Sequence, residues 1–102
     1  MAGADFDWTV PADHPALPGH FPGRPIVPGV VLLDRAILLA ATLVTGHSGS
    51  WQVGTAKFLS PVGPEEALTF SLETKASGSI AFRVRAGERD VASGSLTPGG
   101  GA

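Results

Sequence analysis

The chain has 102 residues, enough for one domain with a modest core. It contains no cysteine, which excludes a disulfide frame, a thiolate nucleophile and a cysteine-ligated metal. Its net charge of −2, with both signs scattered, argues against nucleic acid as a partner. The N-terminus has no basic stretch leading into an apolar one, so no secretory signal is expected. The longest apolar segment is broken by Pro28, Gly29, Asp34 and Arg35, which argues against a membrane span. A soluble, cytoplasmic protein is expected.

Residues 1–5 read as a frayed terminus. Phe6 to Val10 alternates apolar and polar residues, the pattern of a short strand. From Pro11 to Pro28 the chain is rich in proline and glycine. Pro22, Pro25 and Pro28 each fix φ and remove a backbone donor, so no regular ladder or helix can run through. Directly afterwards Val30 to Thr45 reads as a helix apolar on nearly every face, ended by Gly46. The rest reads as sheet: strands over 51–59, 67–74, 80–85 and 91–97. Their separators are the breaker cluster 60–64, the turn Ser77-Gly78, and the turn 87–90. Residues 98–102 read as a disordered tail. Short turns make consecutive strands antiparallel, and one apolar helix beside such a sheet is an α+β layer arrangement in a single domain. A sheet this small leaves part of the helix uncovered, which points to pairing of subunits.

Three groups at the loop–helix junction could carry chemistry. His20 sits in the stiff loop, and a histidine can exchange a proton near neutral pH. The alternative, which composition alone favours, is a loop histidine that hydrogen-bonds the backbone and helps fold the loop. Asp34 has Val30, Val31, Ile37 and Leu38 three and four residues away. Desolvation among them would favour the neutral acid, which can donate a proton. The alternative is an acid on an exposed strip. Gly29 opens the helix, where the first amides have no internal partner, so its N–H could hold an oxygen that becomes negative. The bland alternative is a helix start. A metal held by Asp13, His14 and His20 would not follow a known spacing, and no metal is expected.

The run His20-Phe21-Pro22-Gly23-Arg24-Pro25-Ile26-Val27-Pro28-Gly29-Val30, followed by Leu33-Asp34, resembles the signature of the β-hydroxyacyl-acyl-carrier-protein dehydratases of the FabA/FabZ type. The likeness extends to Asp13-His14-Pro15 and to Val53 through Val62, covering roughly residues 6–97. It implies the hot-dog fold, an antiparallel sheet wrapped around one long central helix. It implies dimers, or higher assemblies of dimers, with active sites at the interface. By resemblance, His20 would be the catalytic base and Asp34 of the partner subunit would handle the departing hydroxyl. The Gly29 amide would bind the thioester oxygen, and Phe21, Pro28, Val30 and Phe58 would contact substrate. The substrate would be a 3-hydroxyacyl chain on the phosphopantetheine of acyl carrier protein, the product a trans-2-enoyl thioester, with no cofactor.

The acid is aspartate where the FabZ branch has glutamate, although the FabA branch has aspartate at that distance. Both branches usually carry glutamine four residues after the acid, and here the position is Leu38. That departure opens two other readings: a non-catalytic acyl-binding or carrier-binding subunit, and a thioesterase of the same fold. The chain is also shorter than most relatives, which fits a branch serving a specialised lipid such as a polyene. Arg83 and Arg85 share one strand face, with Lys57 and Arg89 elsewhere. They could contact an acidic carrier protein or form an ordinary solvated face. Arg24 is the basic residue placed nearest the expected phosphopantetheine entrance.

Overall fold

The computed structural model describes residues 3–11, 26–44 and 50–99. Chain order is β1 (Gly3–Thr9), α1 (Gly29–Ala41), β2 (Trp51–Phe58), β3 (Ala67–Thr74), β4 (Ile80–Ala86) and β5 (Arg89–Pro98). The strands form one sheet in the order β1-β3-β4-β5-β2, with every neighbouring pair antiparallel. The first two strands are thus the two edges. The segment between them, which contains α1, has to carry the chain across the width of the sheet, roughly 19 Å at about 4.8 Å per strand.

Alternation decides which face meets the helix. Leu68, Phe70 and Leu72 of β3 and Ile80, Phe82 and Val84 of β4 are all buried. They meet across the register pairs Phe70↔Val84 and Leu72↔Phe82. With Val91, Ala92 and Leu96 of β5 they form one core with Val31, Leu32, Ala36 and Ala40 of α1. Small Ala36 and Ala40 are fully buried, which lets the helix backbone lie close to the sheet. Gly94 permits a close approach within the sheet itself. A Cβ there would collide with the Thr55 carbonyl, where β2 bulges, and come within 2.8 Å of the Phe82 ring.

Several boundaries differ from the sequence expectation. β1 starts at Gly3, because Gly3, Ala4 and Asp5 continue the ladder opposite Glu73, Leu72 and Ser71. The helix starts at Gly29 and ends at Ala41, four residues before the expected Thr45. Thr42 closes it: its hydroxyl and its amide both donate to the Leu39 carbonyl, at 2.7 and 3.1 Å, taking an acceptor that a further turn would need. The expected terminator, Gly46, lies outside the described residues. β5 begins at Arg89 rather than 91, since Ala86↔Arg89 and Arg85↔Asp90 already pair. At the other end, the expected tail begins too early at 98. Pro98 pairs with Trp51, and the buried Gly99 donates to the Ser50 carbonyl at 2.7 Å.

The connection from β2 to β3 is held from outside. Arg89 donates to Glu66 Oε2 at 2.9 Å, the Pro61 carbonyl at 3.1 Å and Ser60 Oγ at 3.2 Å. Val27 N–H donates to the Val62 carbonyl at 2.7 Å, so the same connection anchors the chain just before α1.

Candidate functional site

The anchored Val27 delivers the chain into the helix start. Pro28 is the N-cap, with φ −61° and ψ 143°, and makes no side-chain cap bond. Its carbonyl accepts the Val31 amide at 3.0 Å, the first bond of the helix. The amides of Gly29 and Val30 precede that bond and lie at the positive end of the helix dipole. Gly29 also packs directly beneath Phe58, and a Cβ on it would stand 2.8 Å from the ring. Three of the expected site residues, Gly29, Val30 and Phe58, are therefore brought together, with Pro28 next to Gly29 in the chain. Gly29, Val30 and Phe58 border a hollow of about 550 Å³ walled also by Ile26, Leu32 and Leu59. An aromatic lid, apolar walls and unbonded amides suit an acyl group whose carbonyl oxygen needs a donor.

Asp34 lies elsewhere. It is about five residues along the helix from Gly29, hence rotated by roughly 140° about the axis. It borders a second hollow of about 260 Å³ with Trp8, Val30, Val31, Arg35 and Leu38. Val30, 67% exposed, is the wall shared by both hollows. The burial considered for Asp34 is not reached within one chain. The residue is exposed, on a helix strip that also carries Val30, Leu38 and Ala41. No described side chain makes a hydrogen bond or ion pair with its carboxylate. Arg35 is turned aside, its guanidinium stacked 4.1 Å over the Trp8 ring. Leu38, 55% exposed, stands one turn beyond Asp34 and presents only methyl groups to that hollow.

His20 and Phe21 lie outside the described residues, as do Asp13, His14, Arg24 and His47. Among the described residues no group of three His, Asp or Glu side chains could hold a metal. None of their helices is long and apolar enough to cross a membrane. Trp8 is the site residue that sequence reasoning missed. Its signal was a large aromatic on the inward face of an edge strand, packed edge-to-face on Phe70 at 6.2 Å.

Residues 2–95 match the ApeI-like family, described as ApeI dehydratase. Among curated proteins the chain is 36% identical over 86 residues to the 3-hydroxyacyl-[acyl-carrier-protein] dehydratase FabZ of Gluconacetobacter diazotrophicus. That alignment takes in 76% of this chain and 53% of the relative. The chain spans about half the length of the first curated relatives it matches. Among solved structures it is similar to the dehydratase heterocomplex ApeI:P from Xenorhabdus doucetiae. The TM-score is 0.81 at 25% identity, over 93% of this chain and 85% of that one. A probable thioesterase from Bartonella henselae superposes with a TM-score of 0.69 at 19% identity, over 93% and 86% of the two chains. At that identity the likeness concerns the fold alone. The shared fold is the hot-dog fold: one helix against an antiparallel sheet.

Proposed function

Because the chain belongs to the ApeI-like dehydratase family, we propose that it removes water from a 3-hydroxyacyl thioester borne on acyl carrier protein, leaving a trans-2-enoyl thioester. His20 takes the proton from C2. The electron pair of that C–H bond becomes the C2=C3 double bond, and the hydroxyl leaves C3, receiving a proton from Asp34 to depart as water. The Gly29 amide donates to the thioester oxygen, which gains negative charge as the C2 proton is lost. Phe21, Pro28, Val30 and Phe58 line the acyl group.

The observation that carries this reading is the separation of Gly29 and Asp34 into two hollows on different sides of one helix. A single chain cannot offer both groups to one substrate. A second chain laid on the exposed strip would bring its own Asp34 to this chain's Gly29. The apolar surface left open supports such pairing: Val30, Leu38, Phe58 and Leu59 are all more than half exposed. A homodimer, or a higher assembly of dimers, is the simplest form. Leu38 favours a second form, in which a different chain of the same fold supplies what this one lacks. A related structure is itself a heterocomplex.

The test is mass spectrometry of a 3-hydroxyacyl-carrier panel after incubation with the purified protein. Loss of one water, abolished by His20→Ala, is the expected result. Release of the whole acyl group would make the protein a thioesterase. An unchanged panel with the carrier still bound would make it a binding subunit, and co-purification would then identify the catalytic chain.

A further inference from the structure

The hollow beside Asp34 has an interior that the proposed chemistry does not use. Val30, Asp34 and Leu38 are four residues apart on α1 and form its exposed rim. Val31 and Arg35 each stand one position further on, rotated by about 100° around the helix. Val31 is buried and Arg35 half-buried, so the hollow deepens away from the rim and toward the sheet. On that side stands Trp8 of the edge strand β1, the wall contributed by another element. The space is about 260 Å³. That is room for roughly eight methylene-sized groups, at the ~30 Å³ that one water molecule takes up.

The Trp8 wall is fixed in place. Its strand partner is Leu68 of β3, and its ring packs edge-to-face on the buried Phe70 at 6.2 Å. The Arg35 guanidinium lies 4.1 Å over the same ring, which turns the cation onto the tryptophan face and lays its stem along the wall. Val30, Val31 and Leu38 add only methyl groups. Beyond the Asp34 carboxylate at the rim, the interior therefore suits a hydrocarbon.

We propose that this hollow takes the far end of the substrate's acyl chain and that Trp8 limits its length. The inference rests on the dehydratase reading, in which Asp34 of one chain reaches C3 of a substrate whose carbonyl lies at Gly29 of the other. The acyl chain beyond C3 then passes the Asp34 carboxylate and enters the hollow behind it, on the chain that supplies the acid. The second chain, laid over the strip of Val30, Asp34 and Leu38, roofs the open side and excludes water. Each methylene buried there strengthens binding by up to about fourfold, until the tail meets the Trp8 ring.

The probes are 3-hydroxyacyl pantetheine amides of four to sixteen carbons, in which nitrogen replaces the thioester sulfur so that the acyl group is not released. Calorimetry with the full chain in its assembled form gives affinity against length. Affinity should climb and then break off at one length. Trp8→Leu should move that break at least two carbons longer. Leu38→Phe, which fills the hollow from its exposed rim, should move it shorter while sedimentation shows the same assembly. Trp51→Phe leaves Trp8 as the one tryptophan, and saturation with a long probe should shift its emission. Should Trp8→Leu not fold, the other two variants carry the test. The proposal is overturned by no binding at any length, by a break indifferent to the substitutions, or by Trp8 emission unmoved at saturation. Tighter binding of a carboxylate-ended tail than of a methyl-ended one also overturns it, and would make Arg35 an anion site. Water loss from the thioester panel tests the dehydratase reading separately. A protein that releases no water yet seats the tail on Trp8 fails that reading alone, and one that releases water with Trp8 unmoved fails this inference alone.

Discussion

Leu38 bears directly on the proposed water loss, because it neighbours Asp34. It stands one turn from Asp34 on an exposed strip and offers no hydrogen bond, so nothing from that position orients the carboxylate. Leu38→Gln supplies a donor there at little cost to stability, within about 0.5 kcal/mol for an exposed site. Its expected effect is a several-fold rise in the rate of water loss in the carrier assay, with an unchanged denaturation midpoint. Gly29 behaves differently. Gly29→Ala places a methyl against the Phe58 ring, and overpacking of this kind costs roughly 1–3 kcal/mol. Phe58 is half exposed, so its ring can swing out and the loss falls at the low end. In urea denaturation, Phe58→Leu should recover most of that loss in the double variant, whereas additive losses would show that ring and glycine do not touch.

The elements divide by how they are buried. β4 is central in the sheet, with Ile80, Phe82 and Val84 facing the helix. Ile80→Ala should therefore cost about 2–5 kcal/mol, seen as a lowered denaturant midpoint. β2 is its opposite: an edge strand, bulged between Val53 and Ala56 and exposed along most of its length. Its amides should exchange fastest among the strands when the chain is dilute, and slow down on association. The strands were legible in the sequence because alternation has a two-residue period and each separator contains proline or glycine. The end of α1 was not. Apolar periodicity continues past Ala41, whereas Thr42 and Leu43 bond back to the Leu39 and Ala40 carbonyls and close the last turn.

For the whole molecule, the exposed apolar strip is the controlling feature. Val30 and Leu38 lie open beside Asp34, which has no partner among the described residues, and Phe58 and Leu59 lie open at the other hollow. Sedimentation should find an assembly larger than one chain. Val30→Glu should drive it toward the single chain, because it introduces a charge where a second surface would exclude water. If the mass stays that of the assembly, the contact lies elsewhere.

Sequence alone determined the strand pattern, the single apolar helix and the loop–helix motif, since each rests on local rules of periodicity and backbone chemistry. It also singled out Gly29 and Asp34 as chemically suited residues. Only the tertiary structure decided that these two face different hollows, that Phe58 covers Gly29 and that Trp8 holds Arg35 away from the acid. It alone brought Lys57 of β2 into one row with Arg83 of β4, across β5. Those are matters of register and rotation between elements distant in sequence, and no local pattern encodes them.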